Sequence, residues 1–180
     1  MKGDDSVSNF HKIDECNLIN GEGIRAAIWF AGCPFHCKAC FNPTTWNPNG
    51  GHKFTPKDME RVIYGISCGY CSGLTLLGGE PLTSYNVDDA MELAKRTKEL
   101  GKTVWCYTGF VFDEKTGCLT AKDKNTVVTK ELLSLFDVLV DGPFVEDLKD
   151  IRLKFRGSSN QRIIDMQKTL QKKEIVLYLE

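Results

Sequence analysis

The sequence predicts an α/β fold, a mainly parallel sheet with helices packed against it. Short apolar runs alternate along the chain with stretches whose apolar residues recur at helical spacing. Most of the apolar runs end in a polar or glycine-bearing loop. No internal repeat, low-complexity tract or long linker divides the 180 residues. That length suits one sizeable core and a single domain spanning 1–180.

The elements follow in order. The run 26–31 (Ala-Ala-Ile-Trp-Phe-Ala) is a buried first strand. Thr55 caps a helix with Pro56 at its first position, and Met59, Val62, Ile63 and Ile66 form its apolar stripe. The second strand is 74–77 and runs into Gly78-Gly79-Glu80-Pro81. Asn86 caps a long helix with Val87, Ala90, Met91 and Ala94 on one face, and Gly101 ends it. The third strand, 103–107, leads to Thr108-Gly109. A short helix closes over 132–136, and a fourth strand, 137–140, leads to Asp141-Gly142. Ser159 or Asn160 is placed to cap a helix over 161–170, and 175–179 is a last strand. The turn-rich, charged excursion 113–125 has no assignable element.

The polar and glycine-rich pieces thus fall mostly just after strands. In α/β folds that end of the sheet binds ligands, because loops vary there while the strands hold still.

Composition narrows the function. Apolar residues make up 42% and charged residues 26%, as in an ordinary soluble protein. A formal net charge of −1 offers no attraction to nucleic acid or to an anionic membrane. The first twenty residues carry no apolar leader, and no apolar run spans a bilayer, so a cytoplasmic location is expected. Eight cysteines in a reducing compartment point to metal or redox chemistry rather than disulfides.

Cys33, Cys37 and Cys40 are spaced C-x3-C-x2-C on one short loop, so their thiolates can converge on a single centre. A cubane iron–sulfur cluster takes four ligands. Three cysteines therefore leave one iron open to a small molecule. A zinc site built on the same cysteines with His36 or a distant ligand is the competing reading.

The motif after the first strand resembles the signature of the radical S-adenosylmethionine (SAM) enzymes. Further segments sharpen the likeness: 20–25 (Asn-Gly-Glu-Gly-Ile-Arg), 41–46 (Phe-Asn-Pro-Thr-Thr-Trp), 78–82 (Gly-Gly-Glu-Pro-Leu), 107–110 (Tyr-Thr-Gly-Phe), 140–142 (Val-Asp-Gly) and 156–162 (Arg-Gly-Ser-Ser-Asn-Gln-Arg). From about Cys16 to the C-terminus the chain is similar to the activating proteins of anaerobic ribonucleotide reductases. Ala39 stands where the wider superfamily usually has an aromatic residue, and this subgroup often has a small one. Pro143 stands where related activases tend to carry a basic residue.

The resemblance implies a 4Fe-4S cluster on Cys33, Cys37 and Cys40, with SAM on the fourth iron. It implies reductive cleavage of SAM to methionine and a 5′-deoxyadenosyl radical, which takes a hydrogen from a glycine of the reductase's catalytic subunit. Gly78, Gly79 and Glu80 would receive the methionine ammonium. Backbone around Ala39, Cys40 and Phe41 would meet the adenine. An electron donor such as a flavodoxin is implied, and neither nucleic acid nor membrane. The fold implied is a partial (β/α) barrel of about five or six units, since a full eight-unit barrel needs roughly 250 residues.

Other residues carry blander expectations. Cys68 and Cys71 are packed thiols between the first helix and the second strand, or else a redox pair. Cys106 is core, and Cys16 and Cys118 are unassigned. Asp141 would touch the SAM ribose or simply form a turn, and Arg156 would hold SAM or brace its loop. Trp29, Trp46 and Trp105 are expected to pack. Two functional alternatives stay open. One is the same chemistry on a formate-lyase type enzyme or a small molecule such as a deazaguanine precursor. The other is a non-catalytic iron–sulfur or zinc protein.

Overall fold

The structure is a computed structural model that describes residues 8–120 and 128–179. Strand β1 (Asn9–Asn17) is followed by β2 (Ile24–Phe30), the cysteine loop with a 3-10 turn at Pro43–Thr45, and the short β3 (His52–Lys53). Then come α1 (Pro56–Ser67), β4 (Cys71–Gly78), α2 (Val87–Glu99) and β5 (Thr103–Tyr107). A hairpin of β6 (Val111–Asp113) and β7 (Cys118–Thr120) precedes α3 (Lys130–Leu135) and β8 (Val138–Asp141). After a 3-10 turn at Glu146–Leu148, the chain ends in β9 (Arg162–Asp165), α4 (Met166–Lys172) and β10 (Leu177–Leu179).

Eight strands form one sheet in the order β10-β9-β8-β5-β4-β2-β1-β3. The centre, β2-β4-β5-β8, is parallel, as the alternating pattern requires, and helices α1, α2 and α3 make the crossovers. The flanking strands β1, β3, β9 and β10 pair antiparallel. The sheet is open, with β3 and β10 at its edges. The parallel run thus holds four strands; beyond it β9 turns back, and β10, antiparallel to β9, resumes the direction of the run.

Side chains alternate across each strand, so each face has its own packing. Ala26, Ile28 and Phe30 of β2, Leu74 and Leu76 of β4, and Val104 and Cys106 of β5 form the core with the helices. On the other face, Trp105, Val138, Val140 and Ile163 cluster with Tyr107, Phe155 and Leu179. Arg25 lies fully buried between β2, β4 and β5. Its Nε donates to Thr75 Oγ1 at 2.9 Å and its Nη2 to the Leu74 and Thr103 carbonyls at 2.8 and 2.9 Å. Desolvation lowers its pKa to about 10.

Helix α1 starts as expected, with a capping box in which Thr55 Oγ1 accepts from Asp58 N and Asp58 Oδ2 accepts from Thr55 N at 2.9 Å. Four expectations change. Residues 9–17, polar overall, form β1 because Phe10 and Ile13 are buried at its pleat. Asn86 precedes α2 but makes no side-chain cap; its amide bridges two loops. The helix placed over 161–170 begins only at Met166, capped by Asp165, because Ile163 and Ile164 bury on opposite faces of β9. Neither Ser159 nor Asn160 caps it. The β6–β7 hairpin runs into the excursion 113–125 through Asp113 and β7, and residues 121–125 of the excursion lie outside the described residues. Among the described residues, no helix is long and apolar enough to cross a membrane.

Candidate active site

The loop after β2 is held at both ends by main-chain hydrogen bonds. Gly32 N donates to the Thr45 carbonyl at 2.7 Å, and Cys33 N to the Trp46 carbonyl at 3.1 Å. The segment 41–46 therefore acts as the brace that folds the cysteine loop back on itself. On the other side, Gly79 N donates to the Phe30 carbonyl at 2.8 Å, and Glu80 N to the Gly32 carbonyl at 2.7 Å. This approach demands glycine. A Cβ on Gly79 would stand 2.3 Å from the Gly32 carbonyl oxygen, and Gly78 has φ +108°. Asn86 completes the suture, its Nδ2 donating to the Ala31 carbonyl at 2.8 Å and the Glu80 carbonyl at 3.0 Å.

A cavity of about 390 Å³ opens where these loops meet, a volume suited to a nucleoside-sized molecule. Cys33, Cys37 and Cys40 all line it, together with Phe41, Gly78, Gly79 and Glu80. Ala39 does not line it but turns the chain between Cys37 and Cys40 with φ +55°. Burial pushes the Cys33 thiol up to about 12 and raises that of Cys37. Such thiols become ligands only when a metal displaces their protons. Among the described residues, no three Cys, His, Asp or Glu side chains gather to hold a single ion. The three thiols share the wall of a space, the arrangement a multi-iron cluster can use. His36 is not among the lining residues; it stacks on Trp46 at 4.7 Å between ring centroids.

Glu80 is fully buried. Its Oε1 accepts from Thr108 Oγ1 at 2.9 Å and Leu82 N at 3.1 Å, and its Oε2 from Gly109 N at 2.7 Å. Burial raises its pKa to about 7, against the pull of those three donors. Oε2 has only the one donor, which leaves acceptor capacity for an ammonium. The Thr108-Gly109 loop is thereby tied to the Gly78–Glu80 loop.

The remaining singled-out residues sort cleanly. Asp141 is buried and held by Arg162 and by Phe112 N at 2.8 Å, so it locks β8 to β9 and the hairpin. It is not among the cavity-lining residues. Arg156 does line the cavity, its Nη1 donating to the Gln161 carbonyl at 2.9 Å. Cys71 and Cys106 are buried thiols, Cys68 is half-buried, and Cys16 and Cys118 are exposed. Trp105 packs as expected, whereas Trp46 faces the cavity. Sequence reasoning missed Asn86, Tyr107 and Trp46 as cavity or loop residues; position after a strand is the signal that marks Tyr107.

The donor set fits an iron–sulfur cluster with an organic co-ligand. The cavity is lined by the three cysteines and by Glu80, whose buried carboxylate keeps acceptor capacity.

The family model described as "4Fe-4S single cluster domain" matches residues 19–164. The chain is 35% identical over 157 residues to the anaerobic ribonucleoside-triphosphate reductase-activating protein of Escherichia coli (strain K12), covering 85% of this chain and 96% of that one. To the protein of the same name from Enterobacteria phage T4 it is 32% identical, over 86% of this chain and 92% of that one. Among solved structures, QueE from Escherichia coli aligns with a TM-score of 0.41 and 14% identity, over 75% of this chain and 69% of that one.

Proposed function

Because the chain belongs to the family of anaerobic ribonucleoside-triphosphate reductase-activating proteins, we propose that it raises a glycyl radical on the catalytic subunit of such a reductase. The observation that carries the reading is the shared cavity, where Cys33, Cys37 and Cys40 meet Gly78, Gly79 and Glu80. When bound, a 4Fe-4S cluster and SAM supply reductive cleavage of the sulfonium to methionine and a 5′-deoxyadenosyl radical.

The chain's own residues hold and orient. Cys33, Cys37 and Cys40 would hold such a cluster, and as three ligands they would leave one iron free for the co-ligand. Glu80 Oε2 and the Gly78–Gly79 backbone receive the methionine ammonium, a donor that needs acceptors. Backbone at Cys40 and Phe41 would border the adenine, with Ala39 setting the turn that presents them rather than meeting the ring itself. Phe35, Leu77 and Phe144 are apolar walls that offer a reactive carbon centre no polar partner and hold the bound molecule away from bulk solvent. Fixing the reacting groups side by side makes the transfer effectively unimolecular.

The reductase loop enters over an apolar rim. Ile19 and Phe41 stand at the cavity and are exposed, and Ile151, 91% exposed, sits on the 146–157 segment whose Leu153 lines it. Glycine suits the target because it has no side chain to obstruct approach. The strands β2, β4, β5, β8, β9 and β10 are read as the staves of a partial barrel in one domain spanning the chain. A cytoplasmic location and a flavodoxin-like donor complete the reading.

The test is anaerobic reconstitution with iron and sulfide, then a low-potential reductant, SAM and the reductase subunit. The expected result is 5′-deoxyadenosine together with a glycyl-radical doublet in electron paramagnetic resonance. A full cluster with no SAM cleavage overturns the proposal. Cleavage with no radical on the reductase, but one on another glycyl-radical enzyme, reassigns the partner.

A further inference from the structure

Between Lys149 and Ser158 the chain leaves the body of the protein and returns to the same point. The two residues form an isolated antiparallel bridge, and just outside it Ser159 N donates to the Leu148 carbonyl at 2.9 Å. A loop of this size with paired ends is an Ω-loop, a form that frequently carries function. Its returning limb borders the cavity, where Leu153, Phe155, Arg156 and Gly157 are lining residues. Its tip, Ile151, is a large apolar side chain left 91% exposed.

The loop is fastened at its neck and held loosely beyond it. Among the described residues, the hydrogen bonds of 151–155 stay inside the loop. Leu153 N donates to the Asp150 carbonyl at 3.2 Å, and the Arg152 guanidinium pairs with the Asp150 carboxylate. What attaches this stretch to the body is a ring. Phe155 packs against the apolar cluster of Trp105, Val138, Val140 and Ile163, and meets Trp105 edge-on at 5.3 Å between ring centroids. Tyr178 of β10 also meets Trp105 edge-on, at 5.4 Å, so the indole is gripped from the last strand of the sheet as well. With its ring seated there, Phe155 has a left-handed backbone, φ +55°. A bulky residue avoids that region unless its surroundings impose it. Few hydrogen bonds to the body, an aromatic anchor and a strained backbone at that anchor are the marks of a segment with two positions, seated and released.

Resting on the functional reading above, we infer that the 149–158 loop is a gate at the cavity, latched by the Phe155 ring and released when the reductase engages Ile151. The gate sets how fast molecules enter and leave, while the groups that hold them stay in place. Association through a gate runs at a rate proportional to the open fraction.

The test reads exchange rates rather than turnover. Reconstituted holoprotein with its cluster oxidised, which leaves SAM intact, is mixed anaerobically with radiolabelled SAM and then chased with unlabelled SAM, alone and with the reductase subunit. Phe155→Asn removes the ring and supplies a residue that tolerates the left-handed backbone. It should speed both association and dissociation of SAM by about fivefold or more, because the open fraction rises. The reductase subunit should speed release from wild type several-fold, from Phe155→Asn by less than about twofold, and from Ile151→Asp not at all. Faster dissociation with unchanged association makes Phe155 a cavity wall and overturns the gate. Unchanged rates with a lowered Tm make it a structural residue and overturn the gate too. A reductase that slows release from wild type, or leaves it unchanged, overturns the unlatching. If Phe155→Asn fails to fold, the wild-type and Ile151→Asp arms decide alone. Wild-type protein with a full cluster that binds no SAM overturns the functional reading itself, an outcome distinct from exchange rates that the ring does not alter.

Discussion

The hydroxyl of Thr108 donates to Glu80 Oε1 at 2.9 Å, joining the loop after β5 to the loop after β4 inside the protein. The same hydroxyl oxygen accepts from Phe110 N at 3.1 Å. One side chain thus orients a buried carboxylate and closes its own turn.

Thr108→Val should therefore destabilise the protein by about 1–3 kcal/mol, because a buried carboxylate and a buried N–H each lose a partner. Thr108→Ser should fold nearly as well as wild type. Urea denaturation checks both, and equal stability for Val and Ser would remove the hydroxyl from this role.

Glu80 makes stability depend on pH in a defined direction. Its pKa rises from 4.5 to about 7 on folding, chiefly through burial. The folded protein keeps this proton where the unfolded chain has released it. Its contribution is full below pH ~4.5, falls as pH rises to ~7, and is flat above that. Infrared difference spectra of wild type minus Glu80→Gln should show a protonated-carboxyl band at pH ~5.5 that is gone by pH ~8. A carboxylate band across that whole range would contradict the assignment.

Asn86 should matter to stability more than its place before a helix suggests. Asn86→Ala takes the donor from the Ala31 carbonyl, and should cost about 1–3 kcal/mol and lower Tm by several degrees. Asn86→Asp should be worse, since it sets a carboxylate against two carbonyl oxygens. Thermal melts order the three proteins, and an unchanged Tm for Asn86→Ala would show the suture to be dispensable.

The eight cysteines should divide by function. Ala at Cys33, Cys37 or Cys40 should abolish SAM cleavage and lower iron and sulfide after anaerobic reconstitution. Ala at Cys16, Cys68 or Cys118 should leave iron content and cleavage near wild type. Iron retained at full level without Cys37 would break the ligand assignment.

Ile151→Asp tests the rim. The side chain is 91% exposed and outside the cavity lining, so folding and SAM cleavage without the reductase should be unaffected. Reductase binding should weaken several-fold, as when a charge is desolvated at an apolar contact. Unchanged affinity in a pull-down titration would place the docking surface elsewhere.

The helices α1 and α2 and the four parallel strands were legible because their signals are local. Capping pairs and apolar repeats act within one or two turns of chain. The spacing of the cysteine triad and the Gly78–Glu80 turn also stood out in the sequence, and the structure sets them on one cavity. Residues 161–170 misled, because Ile163 and Ile164 suit a helix stripe until β8 supplies a strand partner. The chain by itself therefore determined which groups could serve as ligands and which segments could form the layers. Only the tertiary structure decided what those groups face. It spent Asp141 on Arg162, turned His36 onto Trp46, and set Asn86 across two loops. A polar atom's role depends on whether a distant segment satisfies it, and that is settled by packing, not by its neighbours in sequence.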